Sequence, residues 1–193
     1  MTAPLRVGFV TGSTPDKWAR HWRDRRRERL ELVPLLEAEQ VDGVRGGTLD
    51  MAIVRLPVDR DGLHCVRLYD ELQVAVASRD HVLAAADEEV TTADLVDEQL
   101  VRPHASGWAP DADQLDWPPM DEREAIETVA AGTGIVIVPM AVARLHQRKD
   151  ADYRPLLGGR TSTVALAWPR EKTTPDVETF VGIVRGRTAN SSR

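Results

Sequence analysis

The sequence predicts an α/β protein, and three observations carry that prediction. Short apolar runs such as residues 5–10 and 135–138 have strand length and alternate with helix-length segments. The first run hands over to a helix through Thr11-Gly12-Ser13-Thr14-Pro15-Asp16. After Asp80 the pieces become shorter and more polar, which suggests a second lobe. Alternation of this kind implies mostly parallel sheets with helices on their faces.

Residues 5–10 form the first predicted strand. Thr14-Pro15-Asp16 then reads as a helix start, with a hydroxyl at the cap, proline in the first helical position and an acid in the first turn. Trp18 and Trp22 follow at i,i+4 on one face, to be buried in the core or at an interface, and the arginine-rich run 23–29 suits a solvated helix C-terminus. Strands are expected at 30–36, 49–56, 64–68 and 72–77, with a helix over 37–46. Thr91 and Asp94 form a capping-box pattern for a short helix reaching Glu98, and a brief strand follows at 100–102. Residues 103–120 read as a long proline-rich loop. A helix over 121–131, a strand at 135–138, a helix over 140–146 and strands at 153–157 and 163–168 come next. The last helix opens on Thr174-Pro175-Asp176 and buries Val177, Phe180, Val181 and Val184 at i, i+3, i+4, i+7. Residues 188–193 read as a frayed tail.

Composition narrows the function. A net charge of −6 argues against a duplex nucleic-acid binder, whose partner demands clustered Lys and Arg. The single cysteine, Cys65, rules out a disulfide within the chain and fits a reducing cytoplasm. The N-terminus shows no basic stretch followed by a long apolar one, so no secretory signal is expected. No run approaches the roughly 20 apolar residues that span a bilayer.

The ordered set LRVGFVTGSTP, GGTLDMAIVRLP, LYDELQVAVASRDHVLAA, ETVAAGTGIVIVPMAVA and VALAW followed by VETFVGIVRG resembles the effector-binding domain of LysR-type transcriptional regulators, over residues 5–187. The resemblance implies a type 2 periplasmic-binding-protein fold: two α/β lobes joined by two crossover strands, with a small effector in the cleft. It places lobe one at 1–75 with 163–193 and lobe two at 76–162, with crossovers near 73–77 and 160–165. It implies a non-catalytic sensor without cofactor or metal, a small anionic effector such as a carboxylate, and a homodimer pairing the first helix with the helix over 121–131 of a partner. The family's winged helix-turn-helix precedes the first effector-domain strand. No such segment precedes residue 5, so this chain is not expected to bind DNA itself. The alternative is a ligand-free interaction module that pairs with itself or with a full-length regulator.

Candidate ligand contacts follow. Thr11, Gly12, Ser13 and Thr14 lie where a helix N-terminus offers free N–H groups to an anion, and the resemblance maps effector contact onto Ser13 and Thr14. Ordinary capping is the competing reading. Arg55 ends a strand on the side where α/β sheets bind ligands, so it either grips a carboxylate or makes a surface ion pair. Arg102, Pro103 and His104, with Ser106 and Trp108 as a rim, either close on the ligand from lobe two or form a solvated loop. Gly132-Thr133-Gly134 fails as a dinucleotide fingerprint, since it runs from helix to strand and lacks the third glycine; Thr133 is placed at the cleft edge. His64 and Cys65 are neighbours on a strand and so face opposite ways, which makes them core-type residues rather than a nucleophile pair. No motif for a hydrolase, a P-loop or a zinc protease occurs.

Overall fold

The computed structural model describes residues 3–85, 88–105, 107–158 and 162–186. They form two compact units, the first drawn from Met1–Tyr69 and Thr163–Arg193 and the second from Asp70–Ser162.

In the first unit, β1 (Leu5–Val10), α1 (Asp16–Arg25), β2 (Leu30–Leu35), α2 (Asp42–Arg45) and β3 (Met51–Leu56) come in order, and β4 (Leu63–Glu71) runs to the unit boundary. β9 (Ser162–Pro169) and α5 (Pro175–Val184) return to this unit. The sheet order is β2-β1-β3-β9-β4. β1 pairs parallel with β2 and β3, and β3 pairs antiparallel with β9. Because side chains alternate along a strand, β3 sends Met51 and Ile53 to one face and Ala52 and Val54 to the other. Val164, Leu166 and Trp168 of β9 join the first set, Ala165 and Ala167 the second. Both faces are covered, which is why these strands read as unbroken apolar runs.

Trp18 and Trp22 are core residues, 5% and 0% exposed, so the interface reading of their side chains falls away. The Trp22 ring meets Phe180 of α5 at 6.0 Å between centroids, and its Nε1 donates to the Glu28 carbonyl over 2.8 Å. Truncating a fully buried tryptophan to alanine costs about 3–5 kcal/mol, so this contact is a principal anchor of α1.

In the second unit, β5 (Gln73–Ser78), β6 (Val90–Thr91), α3 (Glu122–Ala130), β7 (Ile135–Pro139), α4 (Met140–Leu145) and β8 (Ala151–Leu157) follow in sequence. The sheet order is β6-β8-β5-β7. Val74 and Val76 of β5 and Val136 and Val138 of β7 pack with Ile126 and Val129 of α3. Ala75, Ala77, Ile135 and Ile137 pack on the opposite face with Leu95 and Leu156. The expected capping box is realised, Thr91 with Asp94 opening a 3-10 turn, and a second one that the sequence reading did not single out, Asp121 with Glu124, opens α3.

Several expectations change. The sheets are mixed rather than mostly parallel, since β5 runs antiparallel to both β7 and β8. An apolar run buried on two faces does not encode its direction. The helix expected over 37–46 is a 3-10 turn at Glu37–Glu39 followed by the short α2. The strand expected at 100–102 reduces to a single parallel bridge between Leu100 and Ile135. The first division between units falls at Tyr69/Asp70 rather than 75/76, because the whole of β5, including Gln73–Ala77, is paired in the second sheet. Residues 160 and 161 of the second expected crossover, and the tail 188–193, lie outside the described residues.

Candidate functional site

β1 ends at Val10 and the chain reverses at once. The Ser13 N–H donates to the Val10 carbonyl over 3.1 Å, and the Ser13 hydroxyl donates to the same oxygen over 2.7 Å. Gly12 sits at φ 87, a conformation that residues carrying a Cβ resist. Ser13 is 6% exposed, and both of its donors are turned onto Val10. It therefore shapes the turn and offers a ligand only its hydroxyl lone pairs. The Thr11 hydroxyl lies 3.5 Å from the Leu35 carbonyl, at the limit of hydrogen bonding.

Thr14 is exposed, and its expected role as cap is not realised. Pro15 occupies the cap position with helical dihedrals (φ −75, ψ −5), and no side chain caps α1. The contrast is Thr174, whose hydroxyl accepts from the Val177 N–H over 3.3 Å at the start of α5. The same Thr-Pro-Asp triplet caps one helix and leaves the other open.

Arg55, at the end of β3, is 3% exposed, so its ion pair is buried rather than a surface one. Its Nη2 donates to the Thr11 carbonyl over 2.9 Å, and its Nη1 lies 3.3 Å from Glu37 Oε2. The Gln40 side chain clasps its main chain, accepting from the Arg55 N–H over 2.7 Å and donating to the Arg55 carbonyl over 2.9 Å. The guanidinium that the sequence offered to a ligand carboxylate is thus engaged with a carboxylate of the protein. Arg55 thus bonds the turn that holds Thr11, Gly12 and Ser13, and Thr14 follows that turn along the chain.

In the second unit, Arg102 pairs with Glu122 of α3 at 3.4 Å, where the Glu122 side chain is 4% exposed. Pro103 is exposed and His104 half-buried. Burial, with the Arg102 charge adding to it, pulls the His104 imidazole below its ordinary value. Thr133 is half-buried in the turn before β7. The Val101 N–H donates to the Ile135 carbonyl over 3.0 Å, and the Ile135 N–H to the Gln99 carbonyl over 2.8 Å, which sets the segment leading to Arg102 beside that turn. Gly134, at φ 67, allows this approach: a Cβ there would run into the Gln99 carbonyl. Ser106 lies outside the described residues, and Trp108 packs on the core face formed by β5 and β7.

Two glutamines that the sequence did not single out tie down the long loop. Gln114 accepts from the Leu100 N–H over 2.7 Å and donates to the Glu98 carbonyl over 3.0 Å. Gln99 reciprocates, accepting from the Leu115 N–H and donating to the Asp113 carbonyl, each over 2.9 Å.

Other chemistry is accounted for. His64 is exposed and its ring meets that of Trp168 in a tilted contact, 5.2 Å between centroids, while Cys65 packs with the apolar face around Val54 and Ala165. Burial pushes the Cys65 thiol up, against a smaller opposing effect of Arg60, so it is a poor nucleophile. Among the described residues no group of His, Cys, Asp and Glu could hold a metal ion, and no helix is long and apolar enough to cross a membrane. The arginine run does more than solvate a helix end. Arg23, Arg26, Arg27 and Arg29, with Leu30 and Leu32, line a groove of about 520 Å³ in the first unit. Arg26 is held there by Asp176 and Glu28.

Comparison with known proteins gives a consistent picture. The family described as "LysR substrate binding domain" matches residues 5–189. The HTH-type transcriptional regulator CatR of Pseudomonas putida is 27% identical over 179 residues, covering 80% of this chain and 57% of that protein. The Hca operon transcriptional activator HcaR of Escherichia coli (strain K12) is 28% identical over 177 residues, covering 83% of this chain and 58% of that protein. The chain thus spans less than two thirds of each relative. Among solved structures, the BenM effector binding domain with its effector benzoate superposes with a TM-score of 0.76 at 20% identity, covering 97% of this chain and 96% of that one. The oxidized form of OxyR gives 0.74 at 22% identity, covering 100% and 99%. At these identities the likeness speaks for the fold, which is that of type 2 periplasmic-binding-protein-like domains.

Proposed function

The chain belongs to the LysR substrate binding domain family, and from that premise we propose that it is a non-catalytic sensor that binds a small carboxylate on behalf of a transcription regulator. The observation that carries the anionic class is the open start of α1. A ten-residue helix begins without any side-chain cap, directly after a glycine turn and beside an exposed Thr14 hydroxyl. Free N–H groups at such an end, with the positive pole of the helix, suit a carboxylate. Benzoate, the effector named with the similar BenM domain, is the natural first probe. Binding would act by population shift, stabilising whichever conformation holds the ligand more tightly.

The working partners follow from the same reading. The protein acts in the cytoplasm, where a transcription regulator meets its target, and its acidic balance leaves DNA contact to other segments. A homodimer joins α1 of one copy to α3 of a second.

A thermal-shift screen of benzoate and other small carboxylates against their neutral amides tests the reading. A ligand at about 100 times its Kd contributes ~2.7 kcal/mol, a shift of several degrees. A rise with carboxylates alone supports the sensor. No rise with any of them, together with a dimer by sizing chromatography, would make the chain the ligand-free interaction module instead.

A further inference from the structure

We infer that Arg55 is a positioning residue that acts through the Thr11 peptide group and sets the direction of the Gly12 N–H toward the effector. The inference rests on the reading of the Thr11–Thr14 turn as the effector seat and adds to it the part that holds the turn in place. A trans peptide group points its C=O and the following N–H in opposite directions. Arg55 Nη2 grips the Thr11 carbonyl at 2.9 Å, so the N–H of Gly12 is aimed away from the guanidinium. Gly12 at φ 87 has few steric restraints of its own, and a turn of this kind can flip its central peptide unless something fixes it. Arg55 is what fixes it.

The support behind Arg55 is built for orientation. Glu37 takes the guanidinium at 3.3 Å, and Gln40, one turn further on, holds both main-chain groups of the same residue. Glu37 is 17% exposed at its side chain, and Arg55 3%. A buried ion pair of this sort is weak evidence for stability, because two desolvated charges only roughly recover their cost through mutual attraction; an apolar side chain in the same place can be as stable. A leucine or methionine would fill the space at the end of β3 yet could not bond to Thr11. What the charged pair adds over an apolar residue is direction.

The test uses the 193-residue chain, with Arg55→Met, Arg55→Lys and Glu37→Gln variants, and benzoate as the probe. Amide proton–nitrogen spectra report the Gly12 N–H directly, and titration reports affinity. The expected result for Arg55→Met is a displaced Gly12 resonance with the spectrum of the second unit unchanged, and benzoate affinity lowered about tenfold, the scale of one charge-assisted hydrogen bond. Arg55→Lys restores part of the affinity, since an ammonium can still donate to Thr11. Glu37→Gln shifts the Gly12 resonance in the same direction by less. An unmoved Gly12 resonance in Arg55→Met overturns the inference, as does affinity within twofold of the parent while that resonance moves. Should Arg55→Met fail to fold, the Arg55→Lys and Glu37→Gln spectra decide by the same criteria. If the parent chain itself ignores benzoate, the effector reading is what fails, and the Gly12 resonance alone decides whether Arg55 positions the turn.

Discussion

Ser13 and Val10 are joined twice: the N–H and the hydroxyl of Ser13 both donate to the Val10 carbonyl, over 3.1 and 2.7 Å. The hydroxyl proton is therefore committed inside the protein. Ser13→Ala is expected to lower stability by about 1 kcal/mol, the ordinary worth of one buried hydrogen bond, while the N–H bond keeps the turn. Urea denaturation checks this. A loss above about 3 kcal/mol would mean that the hydroxyl, rather than the backbone bond, holds the turn together.

The two Thr-Pro-Asp triplets should respond differently to the same change. Thr174→Ala removes a cap from α5 and is expected to cost about 1 kcal/mol. Thr14→Ala removes a hydroxyl that caps nothing and is expected to leave stability within about 0.5 kcal/mol while weakening carboxylate binding. Paired denaturation and titration curves for the two variants separate these effects. Equal stability losses would mean that Thr14 caps α1 in solution.

Arg102 and Glu122 form a pair in which the acid is the buried member. Arg102→Ala removes a cationic partner of that carboxylate and is expected to destabilise the chain by about 1–3 kcal/mol. Adding Glu122→Gln should recover part of the loss. A double variant no more stable than the single one would show that the pair is not what Arg102 contributes.

His104 is expected to give the chain a pH dependence whose sign follows from its surroundings. Burial, aided by Arg102, lowers its value in the fold from the ordinary 6.5. The unfolded chain therefore takes up a proton first as pH falls through 6.5, and binds more protons than the folded chain there. Stability contributed by neutral His104 is full above that point and is lost as pH falls below it, until the folded imidazole titrates as well. Denaturation curves at pH 7.5, 6.5 and 5.5 should show this slope, and His104→Gln should reduce it. An identical slope in the variant would assign the dependence to other groups.

Much of the fold could be read from period and punctuation. The runs of β3, β5 and β7 announce strands because alternate residues enter two different cores, as Met51 and Ala52 do. The capping box at Thr91 marks a helical start by residue type alone. Strand direction was not legible, because a strand buried on both faces carries no polar side to orient it. Of the candidate site only an outline was legible. Thr11-Gly12-Ser13 stood out as more than a cap, and Arg55 as a charged residue at a strand end. Their partners were not, since Glu37 and Gln40 lie 18 and 15 residues from Arg55 and meet it only once β2 and β3 flank β1. Gln99 and Gln114 escaped notice for the same reason: a glutamine carries no mark of which backbone it will bond.

The proposed function stands or falls with recognition of a small carboxylate, by its charge, at the open start of α1. Isothermal titration of the 193-residue chain with benzoate and, in parallel, benzamide tests it most directly. Saturable one-to-one binding of benzoate and at least tenfold weaker binding of the neutral amide are expected. Equal affinity for the two, or no saturable binding of benzoate or any other small carboxylate, would contradict it.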